Sequence, residues 1–327
     1  MKKYFYAHIP FTQALFGTRK NPAIKAVDGV TLEVLQGEIF GLIGESGSGK
    51  STLGKLVMKL LEPTEGRIEF DNRDVTHIIR EELAAYRSRV QMIFQDPFSS
   101  LNPRFTVKKV LEEPLLLHHR ELLSEKRFNR ILNALEEVKL SPPQEYLNRF
   151  PHMLSGGQRQ RVATARTLIL NPRLIVADEP VSMIDLSTRA EILQMMKEVQ
   201  KNLGLTYLYI THDLSTARYF TDRMAVLYLG KVVELGRTED LIRYPVHPYT
   251  RALIAAVPEP VPGLVHTLKE LPIKGEIPKP TQIPAGCRFH PRCPYATREC
   301  SEPPEPELLD IGNDHLHACR RWKEILR

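Results

Sequence analysis

Gly44-Glu45-Ser46-Gly47-Ser48-Gly49-Lys50-Ser51 is the stretch that decides the fold of this chain. Its three glycines allow the backbone to curl so that successive N–H groups point into one concavity, and a helix beginning near Lys50 adds the positive end of its dipole. Lys50 supplies a charge for the β- and γ-phosphates of a nucleotide, and the Ser51 hydroxyl is placed to bind Mg²⁺. The stretch therefore predicts a phosphate-binding loop.

The residues on either side of this loop match the context that such a loop needs. Ile39–Ile43 is a short apolar run typical of a buried strand, and apolar residues recur at helical spacing from Leu53 to Leu61. A glycine-rich surface loop that binds nothing is the alternative. The complete motif with a strand before it and a helix after it disfavours that alternative.

The length and composition of the chain limit the classes of protein to which it can belong. The chain has 327 residues, of which 42% are apolar, so it is long enough for two globular domains or one large domain with an appendage. We find no run near the roughly 18 to 20 apolar residues that span a bilayer and no signal-peptide pattern, and we expect a cytosolic chain. The net charge of +6 is dispersed and does not indicate a nucleic-acid surface.

Alternating strands and helices predict an α/β fold. We expect strands over 24–38, 88–95, 174–179 and 206–210, and a hairpin over 225–235. Helical periodicity covers 107–139 and 187–203, and Leu154-Ser155-Gly156-Gly157-Gln158 opens a further helix. Polar residues follow several strands directly: Gln95, the pair Asp178 and Glu179, and His212. Parallel strands present such side chains at their carboxyl edge, where ligands bind.

In this order the motifs resemble an ATP-binding cassette ATPase. The resemblance covers residues 1 to about 245 and includes the phosphate loop, Gln95, the signature at 154–158, the carboxylate strand at 174–179, Asp185 and His212. It implies a P-loop ATP-binding cassette with a RecA-like core, an antiparallel β subdomain and a helical subdomain at about 96–165. We predict this nucleotide-binding domain over 1–244 and a small loop-rich cysteine region over 245–327.

The resemblance also implies roles for individual residues with ATP and Mg²⁺. Ser51, Gln95 and Asp178 would hold Mg²⁺, Glu179 would polarise the attacking water, and His212 would contact the γ-phosphate. The positions assigned to nucleotide binding are Phe5, Gly44, Glu45, Ser46, Gly47, Ser48, Gly49, Lys50, Ser51, Thr52, Leu154, Ser155, Gly156, Gly157, Gln158 and Asp185. Tyr4 and Tyr6 are alternatives to Phe5 for stacking on adenine, and Gln95 and His212 are alternatively a strand-end residue and a structural histidine.

A single chain of this kind is incomplete, because in the family the signature of one cassette completes the ATP site of another. The resemblance therefore implies a second ATPase subunit, identical or related, with Asp185 in the loop that couples the two sites. That loop reads Ser182-Met183-Ile184-Asp185 where relatives commonly have Ser-Ala-Leu-Asp, so the coupling carboxylate is kept while its neighbours differ.

Three further segments resemble the ATPase subunits of dipeptide and oligopeptide importers: 95–104, His247-Pro248-Tyr249-Thr250 and the cysteine tail. This resemblance implies two transmembrane permease subunits, an external solute-binding protein and a peripheral position on the cytoplasmic face of the membrane. Residues 98–104 are the predicted docking stretch for the permease. Importers of nickel, glutathione or oligosaccharides are alternatives, and an ATPase that acts on nucleic acid is a less favoured one.

All four cysteines lie in one short segment, at Cys287, Cys293, Cys300 and Cys319. A cytosolic chain disfavours disulfides, so we expect metal or cluster ligation. The spacing contains no C-x-x-C knuckle of the kind frequent in zinc sites, whereas four thiolates on proline-rich loops can hold an iron–sulfur cluster. The resemblance to dipeptide importers implies a [4Fe–4S] cluster, and zinc or thiols that are unligated or form disulfides are the alternatives.

Overall fold

The structure is a computed structural model that describes residues 1–6, 23–96, 100–257 and 273–326. The chain divides into two compact units, the first formed by residues 1–33, 41–76 and 211–327 and the second by residues 34–40 and 77–210. The cysteine segment therefore belongs to the same unit as the phosphate loop. The predicted division into domains at residue 245 remains a prediction.

Parallel strands and helices build the second unit. Strands β6 (Val90–Ile93), β7 (Leu174–Asp178) and β8 (Thr206–Thr211) run parallel, with Val90 opposite Leu174 and Leu174 opposite Thr206. Four of the five residues of β7 are buried, as expected for a parallel strand covered on both faces. The α-helices whose bounds the structure describes in this unit are α2 (Arg80–Arg89), α3 (Val107–His118), α4 (Ser124–Glu137), α5 (Gly156–Leu168) and α6 (Leu186–Leu203).

Most of the strands in the first unit form antiparallel pairs. The pairs are β1 (Lys2–Tyr6) with β2 (Ala23–Asp28), β4 (Glu69–Phe70) with β5 (Arg73–Asp74), and β9 (Arg223–Tyr228) with β10 (Lys231–Arg237). The predicted hairpin is thus confirmed, and its turn uses Gly230 at φ +81°. From the cysteine tail, β12 (Leu316–His317) pairs with β10, and β11 (Leu309–Asp310) pairs with β12.

Strand β3 (Ile39–Ile43) is divided between the two units and ends where the phosphate loop begins. Every residue of β3 is buried. Among the described residues of the first unit, the α-helices are α1 (Lys50–Val57), α7 (Leu214–Phe220), α8 (Thr238–Arg243), α9 (Pro248–Ala255) and α10 (Trp322–Ile325).

Two predicted strands are wrong in extent. The strand expected over 88–95 is only β6, because residues 80–89 form a helix with Glu81 and Glu82 in its first turn and Arg87 and Arg89 in its last, charges that suit the helix dipole. The strand expected over 24–38 ends at Asp28, since Gly29 takes φ +75° and turns the chain.

An aromatic cluster joins the C-terminal segment to the core of the first unit. Tyr228 on β9, Tyr249 on α9 and Phe289 beside the first cysteine are each at most 1% exposed. The ring centroids lie 4.8 Å apart for Tyr228 and Tyr249, and 5.2 Å apart for Tyr228 and Phe289. Such tilted and edge-to-face pairs add to the stabilisation from apolar burial.

Candidate nucleotide site

The phosphate loop (residues 44–51) takes a shape that only glycine permits at two of its positions. Gly44 has φ +153° and Gly49 has φ +106°. A Cβ added to Gly44 would lie 2.2 Å from the Leu227 carbonyl oxygen, and one added to Gly49 would lie 2.0 Å from the Ala26 carbonyl oxygen. Gly47 has φ +79° with no atom within 4 Å of its Cβ position. The loop is thus closed against neighbouring backbone at both ends.

Lys50 begins helix α1 and is buried, with 5% of its surface exposed. Its Nζ donates to the Gly44 carbonyl at 2.7 Å and to the Glu45 carbonyl at 2.9 Å. The ammonium group therefore lies inside the curl of the loop, where a nucleotide phosphate would meet it. Ser51 and Thr52 follow in the first turn of the helix and are partly buried.

Glu45 is fixed by residues far along the chain. Its backbone N–H donates to the Tyr249 hydroxyl at 2.8 Å. Its carboxylate accepts two hydrogen bonds from Arg292, with Nη1 2.6 Å from Oε2 and Nη2 2.9 Å from Oε1. No pattern in the sequence predicts either contact. Residues 247–250 indicate only a resemblance to peptide-importer ATPases, and Arg292 belongs to none of the motifs.

A buried carboxylate explains the position of that segment. Glu234 on β10 has no exposed surface, and its carboxylate accepts from the backbone N–H groups of Val246 at 2.7 Å and His247 at 3.0 Å. His315 lies 2.8 Å from the same carboxylate through Nε2. The His247 ring caps helix α9 by accepting the Tyr249 N–H at 3.1 Å, and burial lowers the pKa of His247 to about 4, so the ring is neutral. Tyr249 is thereby held in place toward Glu45.

In the second unit the structure brings together two of the predicted catalytic residues. Gln95 follows β6, and its Nε2 donates to Oε2 of Glu179 at 3.0 Å. Glu179 follows β7 directly, takes the left-handed φ of +47°, and donates its N–H to the Ile210 carbonyl at 2.9 Å. Asp178 is the last residue of β7 and is buried. The two carboxylates and the amide thus stand at the carboxyl ends of adjacent parallel strands.

The signature loop (Leu154–Gln158) is held by its own residues. Ser155 caps helix α5 with its hydroxyl, which accepts the Gln158 N–H at 3.2 Å, and the Gln158 side chain accepts the Ser155 N–H at 3.1 Å. This is a capping box, which satisfies donors at the helix start. A Cβ on Gly157 would lie 2.5 Å from the Thr188 methyl group, whereas Gly156 has no atom within 4 Å of its Cβ position.

Asp185 caps helix α6. Its carboxylate accepts the Thr188 N–H at 3.0 Å and the Ser187 hydroxyl at 2.7 Å. The hydrogen bond from the Thr188 backbone, followed by those from the side chains of Ser187 and Thr188, lowers the pKa of Asp185 to about 2. Asp185 is therefore ionised at neutral pH.

The remaining nucleotide-site candidates lie in the first unit. His212 follows β8 and is exposed. On β1, Phe5 is 38% exposed and Tyr6 is 61% exposed, while the Tyr4 hydroxyl donates to Asp28 at 2.5 Å. The Lys3 ammonium lies 5.3 Å from the centroid of the Phe5 ring, and the Lys25 ammonium lies 5.6 Å from that of Tyr4. The assignment of Phe5 to adenine stacking stays a prediction. Phe98 of the predicted docking stretch lies outside the described residues.

All four cysteines line a single cavity in the first unit, together with Phe289 and His290. None forms a disulfide, and each is partly buried. Burial raises the pKa of the Cys287 thiol to about 11 and that of Cys319 to about 12, so both are protonated without a metal. Within the described ranges, no three or more His, Cys, Asp or Glu residues are grouped closely enough to hold a metal ion.

A search for membrane spans among the described residues finds no helix that is both long and apolar enough to cross a bilayer.

Comparisons with known families match two parts of the chain. Residues 27–182 match the family described as ABC transporter, and residues 233–300 match the oligopeptide/dipeptide transporter C-terminal region.

The chain is also similar along nearly its full length to curated proteins. It is 44% identical to the putative oligopeptide transport ATP-binding protein YkfD of Bacillus subtilis, over 94% of this chain and 93% of that protein. It is 43% identical to the oligopeptide transport ATP-binding protein AppF of the same species, over 98% and 95%. The dipeptide transport ATP-binding protein DppF of Haemophilus influenzae is 41% identical over 98% and 94%.

Among solved structures, a dimeric bacterial ABC transporter cassette, MJ0796, superposes with a TM-score of 0.61 at 33% identity, covering 72% of this chain and 96% of that one. The same cassette with ADP and Pi in a post-hydrolysis state gives a TM-score of 0.62 at 33% identity, with the same coverage of the two chains. The predicted cassette fold is therefore confirmed, and the chain belongs to the ATP-binding proteins of the ABC transporter family, in the group that carries the oligopeptide/dipeptide transporter C-terminal region.

Proposed function

We propose that this chain is the ATP-hydrolysing subunit of an importer of dipeptides or oligopeptides. The main observation in support of ATP hydrolysis is the contact between Gln95 and Glu179, which lies beside the buried Asp178. Membership of the ABC transporter family indicates that the reaction is ATP hydrolysis, since the related cassette MJ0796 has been solved with ADP and Pi. The names of the relatives YkfD, AppF and DppF supply the class of solute.

In this proposal the phosphate loop and Lys50 bind the β- and γ-phosphates, and Ser51, Gln95 and Asp178 provide oxygens for Mg²⁺. Oxygen donors are the ligands that Mg²⁺ prefers, and the residues at these positions fit it. Glu179 orients and polarises the attacking water, and its carboxylate accepts a hydrogen bond from the Gln95 amide. His212 contacts the γ-phosphate, and Phe5 stacks on adenine.

The remaining partners follow from the same family. The signature loop and Asp185 serve the ATP site of a second cassette, identical or related. Two permease subunits form the pore, a binding protein outside the cell selects the solute, and this chain acts from the cytoplasmic face of the membrane. The helix start at Gly156 supports the first of these roles, because backbone N–H groups at a helix N-terminus bind anions.

Two substitutions in the full chain test the ATPase. Glu179→Gln should leave MgATP affinity unchanged and slow hydrolysis at least about a hundredfold, the contribution typical of a positioned general base. Lys50→Ala should weaken MgATP binding, measured by calorimetric titration. Glu191→Gln is the matched control, because Glu191 is an exposed glutamate on α6. Hydrolysis by Glu179→Gln at the wild-type rate would exclude the proposed role of Glu179.

Uptake by cells tests the solute. Cells that depend on this chain and its permease should accumulate a labelled dipeptide or pentapeptide, and Glu179→Gln should abolish that uptake. Nickel, glutathione and an oligosaccharide are the comparison solutes. Uptake of one of these in place of peptide would overturn the peptide assignment while leaving the ATPase intact.

We infer further that the four cysteines hold a [4Fe–4S] cluster. The lining of one cavity by all four thiols supports a shared ligand. A single zinc ion, with Zn–S distances of about 2.3 Å, needs its sulfurs drawn close together, whereas a larger cluster accepts thiolates that stand farther apart. The cluster would serve as a cross-link between the loops that carry the cysteines, and ATP hydrolysis requires no electrons from it.

Elemental analysis of the anaerobically purified chain distinguishes these alternatives. About four irons and four sulfides per chain are expected from the cluster stoichiometry. Cys287→Ser should lower both contents, while Ser301→Ala, a change at a nearby exposed hydroxyl, should not. Stoichiometric zinc, or no metal in the wild-type chain, would overturn the cluster and leave the ATPase proposal untouched.

A further inference from the structure

Arg292 lies in the loop between two of the cysteines and reaches the phosphate loop. Its side chain is 5% exposed, and it pairs both terminal nitrogens with both carboxylate oxygens of Glu45. Parallel fork-to-fork pairs of this kind fix geometry more strongly than a single contact between point charges. The pair therefore restrains the second residue of the phosphate loop.

The guanidinium of Arg292 is itself held in place. It lies 5.7 Å from the ring centroid of Tyr228 and 5.8 Å from that of Phe289, within the range of cation–π attraction. The Arg292 backbone donates to the Phe289 carbonyl at 3.0 Å and accepts the Lys274 N–H at 2.9 Å. An arginine fixed at both its backbone and its head group loses little side-chain entropy when it binds Glu45.

Tyr249 holds Glu45 from a second direction. Its hydroxyl accepts the Glu45 N–H, and its ring lies in the same aromatic cluster as Tyr228 and Phe289. The carbonyl of Glu45 meanwhile accepts from Lys50. The side chain, the N–H and the carbonyl of this one residue are thus all engaged, two of them by the C-terminal segment.

The ion pair between Arg292 and Glu45 also affects nucleotide binding through its charge. Glu45 places a carboxylate in a loop that binds polyphosphate, and an unpaired carboxylate there would repel the nucleotide at short range. The Arg292 guanidinium neutralises it. Removing the arginine should therefore harm nucleotide binding more than removing the glutamate.

We propose that Arg292 and Tyr249 are positioning residues for the phosphate loop, through which the C-terminal region over 245–327 sets the affinity of this chain for ATP. The inference rests on the proposed role of the phosphate loop in binding ATP and adds to it a structural requirement from the C-terminal segment. It does not require any particular metal at the cysteines.

The test is a double-mutant cycle in the full chain, with the dissociation constant for MgATP measured by calorimetric titration. Arg292→Gln should raise the dissociation constant about tenfold, the scale of a lost charge-assisted hydrogen bond. Glu45→Gln should have a smaller effect. The double variant Arg292→Gln/Glu45→Gln should bind more tightly than Arg292→Gln alone, because it contains no unpaired carboxylate.

Two conservative variants separate positioning from general stability. Arg292→Lys keeps the charge and loses the paired geometry, and Tyr249→Phe loses only the hydroxyl that accepts the Glu45 N–H. Both should raise the KM for ATP with kcat nearly unchanged, the pattern of lost ground-state binding. Arg298→Gln is the matched control, since the Arg298 side chain is 92% exposed and pairs with Glu302 at the surface.

The outcomes distinguish the inference from the function on which it rests. Lys50→Ala with unchanged MgATP affinity would mean that the proposed function of the loop has failed. Weakened binding in Lys50→Ala together with wild-type affinity in Arg292→Gln and Tyr249→Phe would overturn the inference alone. A double variant that shows the summed losses of the two single variants would also overturn it.

Discussion

The phosphate loop and the signature loop are both glycine-containing turns at the start of a helix, yet they are held in different ways. The phosphate loop is shaped by distant parts of the chain: the carbonyls of Ala26 and Leu227 close against its glycines, and Tyr249 and Arg292 hold Glu45. The signature loop is shaped by Ser155 and Gln158, three residues apart. One loop depends on the completed fold of its unit and the other mainly on its own sequence.

This difference determines how much stability the protein should lose when a residue of either loop is replaced. A loop built from local hydrogen bonds loses about what its cap contributes when the cap is removed. A loop enclosed by backbone from elsewhere cannot move aside without displacing those neighbours. The same replacement of glycine by alanine should therefore have very different costs at the two sites.

The largest effect is expected for Gly49→Ala. The new methyl group would lie 2.0 Å from the Ala26 carbonyl oxygen at a backbone φ of +106°. We expect the free energy of unfolding to fall by about 3 kcal/mol or more, from overpacking added to backbone strain. Chemical denaturation measures this free energy of unfolding. Gly47→Ala is the control, with a positive φ but open space, and should cost about 1 kcal/mol. Equal losses in the two variants would contradict the steric explanation.

An intermediate effect is expected for Gly157→Ala, because a Cβ at this position of the signature loop would meet helix α6. Its methyl group would lie 2.5 Å from the Thr188 methyl group, and we expect a loss of about 1 to 2 kcal/mol in unfolding free energy. Thr188→Ser removes that methyl group and keeps the hydroxyl. The double variant Gly157→Ala/Thr188→Ser should recover much of the loss, and a double variant as unstable as Gly157→Ala would show that the contact is not the cause.

A smaller effect is expected for Ser155→Ala, which removes the cap of helix α5. The loss should be about 1 kcal/mol, the usual cost of an N-cap serine. Ser155→Asn, a residue that also caps helices, should restore most of the stability. Thermal unfolding of the three proteins measures the effect, and identical melting temperatures would indicate that tertiary packing alone holds the helix start.

The smallest effect is expected for Gly156→Ala. Gly156 has no atom within 4 Å of its Cβ position, so the unfolding free energy should change by no more than about 0.5 kcal/mol. A large loss of stability would show that the signature loop is enclosed like the phosphate loop. The difference in unfolding free energy between Gly49→Ala and Gly156→Ala measures how much more closely the phosphate loop is enclosed than the signature loop.

Local patterns predicted a large part of this molecule. Four features were predictable because glycine, capping residues and apolar strands act over a few residues. They are the phosphate loop, the helix that opens at the signature, the hairpin over 225–235 and the two carboxylates at the end of the strand β7. The rule that ligands gather at the carboxyl ends of parallel strands predicts that Gln95, Asp178 and Glu179 lie at one edge of the sheet. The hydrogen bond between Gln95 and Glu179 is a finding of the structure.

Contacts between distant residues were not predictable in this way. Arg292 and Glu45 are 247 residues apart, and His315 and Glu234 are 81 residues apart. Neither pair has a periodicity or a spacing that marks it, since charged residues at 26% of the chain offer many possible partners. Helix α2 differs from these contacts, because its charged ends are a local signal that suits the helix dipole. The predicted strand over 88–95 overlaps only the last two residues of this helix.

The separation of Glu45 and Arg292 has a consequence during synthesis. The ribosome adds roughly 5 to 20 residues per second, so about 12 to 50 seconds pass between the incorporation of Glu45 and that of the arginine 247 residues later. Throughout that interval a nascent chain carries the whole phosphate-binding motif without the ion pair that restrains it. Chains released before residue 292 would keep the motif and never acquire the pair.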